Sequence, residues 1–117
     1  EASFSYRHST NYYLFVNWGQ CCKGTNSTYE IRVGRSANVT GPYLDREGHD
    51  LMRAGGTKVI GSEGRFIGPG HAGILNERGQ EWFSFHYYDA NNQGRPTIAV
   101  RKLGWDKDGW PVVAKPG

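Results

Sequence analysis

With 117 residues, the chain has the length of one domain with a modest core. Its net charge of +3 comes from 14 Lys and Arg dispersed among 11 Asp and Glu without a basic run, which argues against a nucleic-acid partner, and no apolar stretch approaches the ~18 residues of a membrane helix. An aromatic share of 14% together with 17 Gly favours aromatic strands broken by glycine turns.

Strand alternation starts at once, in Glu1-Ala2-Ser3-Phe4-Ser5-Tyr6, with no lead-in and no charged-then-apolar leader, so no signal peptide is expected and the chain reads as beginning inside a structure. A second strand follows over Tyr12–Trp18, between Asn11 and Gly19. The next residues include Cys21-Cys22, neighbours that cannot staple distant parts of a fold. Two reduced thiols in a loop are the simpler reading, and a vicinal disulfide, forming a small apolar platform for a ligand, is the alternative. Asn26-Ser27-Thr28 and Asn38-Val39-Thr40 both fit the glycosylation sequon, which matters only in a secreted eukaryotic protein.

Thr28–Val33 predicts a third strand with Tyr29, Ile31 and Val33 on one face. An edge-like stretch at Tyr43–Arg46 leads through Gly48 and Gly55-Gly56 to a fourth strand at Thr57–Ile60, and only Asp50–Arg53 could form a helical turn. The same order then recurs at His71–Leu75, Glu81–Tyr88, Pro96–Lys102 and Trp110–Ala114. An offset of 70 residues aligns Glu1 with His71, Phe4 with Ile74, Tyr12 with Trp82 and Phe15 with Phe85, while an offset of 67 aligns Ile31 and Val33 with Ile98 and Val100.

Four antiparallel strands repeated as a unit, with glycine turns and aromatic second strands, read as β-propeller blades, here 1–63 and 64–117. Since a propeller needs about four blades or more to close, the all-β chain is expected to be a partial propeller. The first strand of each blade lies innermost, so Glu1 and His71 are expected to face the same channel.

Glycosidic hydrolysis uses one carboxylic acid to protonate the leaving oxygen and one carboxylate to activate water or attack. Glu1 is the best-placed donor, and no second carboxylate is placed as well. Asp89, Asp106 and Asp108 sit at turns, as do Asp45, Glu47, Asp50 and Glu63. The histidines at 8, 49, 71 and 86 lack the paired spacing of a zinc site, although His71 could orient the water shell of a hard cation. His86, between Phe85 and Tyr87, reads as a packed or sugar-contacting strand residue, and Trp18, Trp82, Tyr87, Trp105 and Trp110 as stacking surfaces or packing between blades. Gly64, Gly68 and Gly70 precede no helix, which makes a phosphate cradle a weak reading.

Several of these segments together resemble the arabinanase branch of glycoside hydrolase family 43: Tyr12-Tyr13-Leu14-Phe15-Val16 leading to Cys21-Cys22-Lys23-Gly24, then Ile31-Arg32-Val33-Gly34-Arg35-Ser36, Thr40-Gly41-Pro42-Tyr43, Gly68-Pro69-Gly70-His71 and Trp105-Asp106-Lys107-Asp108-Gly109-Trp110-Pro111. The resemblance implies the last two blades of a five-bladed propeller that hydrolyses α-1,5-linked arabinan or arabinosides with inversion. It implies that Glu1 is the general acid, although Ser3 departs from the Glu-Ala-Pro-Phe-like start of the family's strand. It implies further that His71 helps hold a water-coordinated calcium, and that the protein is secreted. Trp18, Cys21, Cys22 and His86 are the candidate arabino-oligosaccharide contacts.

In the family the base and the pKa-tuning aspartate come from earlier blades, and no segment here matches them. Activity is therefore expected only when the missing blades come from another chain or from further copies of this one, although no whole number of two-blade chains makes five. The alternative is a non-catalytic, carbohydrate-binding or self-assembling propeller fragment.

Overall fold

The computed structural model describes residues 1–116; Gly117, the last residue of the expected second blade, lies outside the described residues. Two antiparallel four-stranded sheets follow one another along the chain. The first is ordered β1 (Phe4–His8), β2 (Asn11–Trp18), β3 (Glu30–Ser36) and β4 (Thr57–Ile60). The second is ordered β5 (Phe66–Glu77), β6 (Gln80–Asp89), β7 (Arg95–Trp105) and β8 (Pro111–Val113). The change of sheet falls between Ile60 and Phe66.

The helical turn expected at Asp50–Arg53 is a 3-10 turn, Leu51–Arg53, whose Met52 N–H donates to the Asp50 carboxylate at 2.8 Å. Two further 3-10 turns, Gly24–Asn26 and Ala90–Asn92, had no counterpart in the sequence reading, because three residues are too few to show a helical period.

One apolar seam joins the sheets. Alternation along β2 and β3 turns Tyr13, Phe15, Ile31 and Val33 to the same side, where they bury against Phe83, Phe85, Tyr87, Leu103 and Trp110 of the second sheet. Phe15 and Phe83 meet at 5.7 Å between ring centroids. Each such side chain contributes about 1.5–3 kcal/mol when taken from water. A polar clamp lies beside the seam. The Glu81 carboxylate accepts from the Tyr6 hydroxyl and, at 2.8 Å, from Trp105 Nε1, while the Trp105 ring stacks on His8 at 3.8 Å.

Strand pairing decides which residues of the two sheets are equivalent. Phe15 pairs with Phe4 and Val33, and Ser84 pairs with Gly73 and Val100. Val33 therefore corresponds to Val100 and Ile31 to Ile98, as the offset of 67 has it. Phe15, however, corresponds to Ser84 and Tyr13 to Trp82, so the offset on the second strands is 69. The match of Tyr12 to Trp82 and of Phe15 to Phe85 at an offset of 70 is one residue out. Like aromatic types suggested it, but a slip of one residue moves a side chain to the opposite face of its sheet.

Equivalent positions meet opposite fates. Ile31 and Val33 are fully buried, whereas Ile98 is 73% and Val100 60% exposed, with Leu75 and Val112 also bare. The second sheet thus presents, unpartnered among the described residues, the kind of face that the first sheet buries. Ile98→Lys combined with Val100→Lys is expected to change the unfolding free energy by no more than about 0.5 kcal/mol and to lower self-association in light scattering. Ile31→Lys, the equivalent change on the buried face, should abolish the cooperative unfolding transition.

Candidate functional site

Glu1 lies just before β1, tied to the end of β2. Its carbonyl accepts from the Asn17 backbone N–H at 2.8 Å, and its amino group donates to the Asn17 carbonyl at 3.2 Å. Ala2 then takes a left-handed conformation (φ 51) before the ladder resumes at Phe4. The second sheet repeats this bulge, with Gly70 opposite His86, His71 at φ 59, and pairing resumed at Gly73. By position, then, Glu1 corresponds to Gly70, Ala2 to His71 and Asn17 to His86. The expected equivalence of Glu1 and His71 is corrected by one residue, for the same reason of strand phase. Positive φ is uncommon for a residue with a Cβ, and such positions concentrate at functional sites.

The two bulges come together through Asn17. Its Oδ1 accepts the His71 backbone N–H at 2.7 Å, and its Nδ2 donates to the Pro69 carbonyl at 3.2 Å. Glu1, just before β1, and His71, midway along β5, are thereby held at the same blade junction, both solvent-exposed in this chain. Gly70 is a glycine because of that closeness. A Cβ there would collide with the Tyr29 ring at Cδ2, lie 2.7 Å from its Cε2 and 3.0 Å from Asn17 Nδ2.

Around Glu1 and His71 stands a group of rings. Tyr29 is buried, and its phenol pKa is pushed up to about 12, first by burial and then by the Glu1 carboxylate beside it. At neutral pH it is a hydrogen-bond donor facing Glu1. His86 lies 6.2 Å from the Tyr29 ring and 6.4 Å from His71. Burial, and secondarily the charge His71 can carry, lower the His86 pKa, so its imidazole is neutral.

Tyr88 stands edge-on to His86 at 5.9 Å, and its hydroxyl accepts the Cys22 backbone N–H at 2.7 Å. Cys21 and Cys22 are joined in a vicinal disulfide, which corrects the simpler reading of two reduced thiols. The pair caps this edge of the ring cluster, with Cys22 in the left-handed region (φ 69).

Of the candidate sugar contacts, Cys21, Cys22 and His86 border the cluster and Trp18 does not. The Trp18 ring lies on the opposite face of β2 from Asn17 and is covered by the Arg32 guanidinium, 4.3 Å from its centroid. Asn17 and Tyr29 were missed in the sequence. Tyr29 reads as one more residue of the apolar alternation it shares with Ile31 and Val33. Asn17 carries a usable signal, an amide in phase with Tyr13 and Phe15 where an apolar residue belongs.

The described aspartates in the turns have structural partners. Asp89 is held below the usual carboxylate range chiefly by the Arg65 guanidinium, whose Nε donates at 3.0 Å. Burial would raise Asp45, but the Gly56, His49 and Glu47 amides outweigh it and keep the group low. Asp106 is lowered first by the Trp110 amide and then by Arg46. Among the described residues no group of three or more His, Cys, Asp or Glu side chains could hold a metal ion.

Comparison with known proteins gives a consistent family. The family model described as glycosyl hydrolases family 43 matches residues 1–111. An extracellular exo-α-(1→5)-L-arabinofuranosidase of Cellvibrio japonicus is 41% identical over 113 residues, 97% of this chain and 33% of that protein. An extracellular endo-α-(1→5)-L-arabinanase of Bacillus subtilis is 42% identical over 100 residues, 86% of this chain and 30% of the relative. Among solved structures, an exo-1,5-α-L-arabinanase from a bovine ruminal metagenomic library superposes with a TM-score of 0.95 at 41% identity, over 99% of this chain and 38% of that one. The Cellvibrio cellulosa α-L-arabinanase complexed with arabinohexaose gives 0.94 at 40% identity, over 97% and 36%. The chain thus spans about a third of the length of the relatives it matches, and its sheets are two blades of a partial β-propeller.

Because folding lowers the His86 pKa, the unfolded chain takes up the proton first as pH falls. Stability should be complete above the ordinary value of ~6.5 and decline as pH drops from there toward the lower folded value. Proton NMR is expected to give His86 a midpoint below that of a model imidazole, and His86→Gln to flatten this part of the stability profile.

Proposed function

The chain belongs to glycosyl hydrolases family 43, and on that premise we propose that it supplies the acid side of a site that hydrolyses α-1,5-linked arabinan or arabino-oligosaccharides with inversion. The observation that carries the reading is the Glu1 carboxyl beside Tyr29 at the junction of the two blades, next to His71 and His86, in a chain whose relatives are an arabinofuranosidase and an arabinanase.

In this mechanism protonated Glu1 gives its proton to the glycosidic oxygen as the bond to the anomeric carbon breaks. A water activated by a carboxylate outside this chain attacks the opposite side of the ring, which inverts the anomeric configuration. Tyr29, neutral at working pH, donates toward the Glu1 carboxylate left after the transfer and steadies it. The vicinal disulfide and the His86 ring offer compact surfaces for sugar packing, and Trp18, under Arg32, is left out of this set. Secretion is proposed on the strength of relatives named extracellular.

A calcium ion would supply fixed positive charge near the developing charge. Calcium takes six to eight oxygen ligands, whereas His71 offers one nitrogen with no cluster of metal-binding side chains around it among the described residues. The chain therefore fits a cation reached through water or held by donors elsewhere, with His71 orienting its shell. The bare Ile98 and Val100 face favours a second reading for the chain in isolation, sugar binding or self-assembly without turnover.

In the complete hydrolase carrying this chain, Glu1→Gln should lower kcat on arabinan by about 10²–10⁴-fold. The loss should be far smaller on an aryl arabinoside whose leaving group departs without a proton. Equal arabinan turnover in both proteins would remove Glu1 as the acid. For the isolated chain, calorimetry should detect arabinohexaose binding without hydrolysis; turnover by the isolated chain would contradict the view that the base lies outside it.

A further inference from the structure

We infer that Asn17 is the positioning residue that sets Glu1 relative to His71, joining the two blades at the proposed site; the inference rests on the reading of Glu1 as the acid. Asn17 is 5% exposed and stands on the seam face of β2 with Tyr13 and Phe15. A polar amide at such a place is costly unless satisfied. Every hydrogen-bonding group it has is used, and most of its partners belong to the two bulges.

Its backbone N–H and C=O bond the Glu1 carbonyl and amino group at 2.8 and 3.2 Å. Its Oδ1 accepts from His71 N–H at 2.7 Å, and its Nδ2 donates to the carbonyls of Glu30 at 3.0 Å and Pro69 at 3.2 Å. The amide orientation follows from these partners. Reversed, it would set Nδ2 against the His71 N–H and Oδ1 against two carbonyls. The bond to His71 matters because the β5–β6 register shifts on both sides of Gly70, leaving His71 outside the regular ladder. Asn17 supplies from the neighbouring blade the acceptor that the ladder does not.

Aspartate keeps the acceptor for His71 but turns a carboxylate on the Glu30 and Pro69 carbonyls, and leucine removes the acceptor that Oδ1 gives the His71 N–H. The clamp is also peculiar to one blade junction, since His86 takes the equivalent place in the second sheet. A shift of one blade against the other would move Glu1 and His71 apart unless Asn17 held both. Displacement of a catalytic group by about 1 Å can cost on the order of 10²-fold in rate.

The test uses Asn17→Asp in the complete hydrolase, with Ile60→Ala on the outer strand as a control of comparable destabilisation. Asn17→Asp is expected to lower kcat on arabinan by about 10–100-fold with KM changed less than about threefold, and to displace the alkaline limb of the pH–rate profile, the limb that a general acid sets. Ile60→Ala should keep wild-type kcat and profile. In ¹⁵N-labelled chain, the His71 amide proton should be deshielded in the wild type and shifted in Asn17→Ala. Wild-type kcat and pH profile in Asn17→Asp, or an equal kcat loss in Ile60→Ala, would overturn the inference, as would an unmoved His71 amide in Asn17→Ala. If Glu1→Gln proves fully active, the hydrolytic reading fails by itself while the His71 amide shift still reports the clamp; if Glu1→Gln is inactive and Asn17→Asp is normal, the positioning role alone falls.

Discussion

The seam between the two sheets is the contact on which everything else in this chain depends. Phe15, Ile31 and Val33 are fully buried there, against Phe83 and Phe85. A lone four-stranded sheet of this length has no way to remove one face from water, so each blade needs a neighbour before its alternation yields any burial. The polar contacts beside the seam are consequences of it. Glu81 can receive Tyr6 and Trp105 because the apolar side chains have already fixed how far apart the sheets lie.

That constraint also explains why the chain is half covered. A blade is a repeat with two faces, and in a propeller each face is met by an adjacent blade. Ile98 and Val100 are to the second sheet what Ile31 and Val33 are to the first, yet they stand in solvent. The relatives are about three times as long as this chain. The site has the same one-sidedness. Glu1, His71 and His86 line an open edge, while Asp45, Asp89 and Asp106 are bound to backbone amides and arginines.

The chemistry gathered at the edge arises from small departures from regular strand structure. Bulges at Ala2 and His71 interrupt the ladder next to Glu1 in the first sheet and at His71 in the second, and glycine at position 70 lets Tyr29 and Asn17 close in. Burial then shifts the proton equilibria, raising Tyr29 and lowering His86, so that both rings are neutral around a carboxyl group. None of these residues is unusual by type.

What the sequence determined by itself was the order of elements and the class of fold, because alternation and glycine turns act over a few residues and are visible locally. The strands, the repeat, the match of Ile31 to Ile98, and the motifs running from Tyr12 to Trp110 were legible in that way. The phase of the second strands, where Phe15 answers to Ser84 and not Phe85, emerged from the folded chain, since phase depends on hydrogen bonds between strands and on bulges that similarity of side chains cannot reveal. Folding also joined Cys21 to Cys22, covered Trp18 with Arg32, and turned Asn17 and Tyr29 from members of an apolar pattern into the residues around Glu1. Those outcomes arise between segments far apart along the chain, where the packing of one sheet on the other, and no local preference, determines which groups meet.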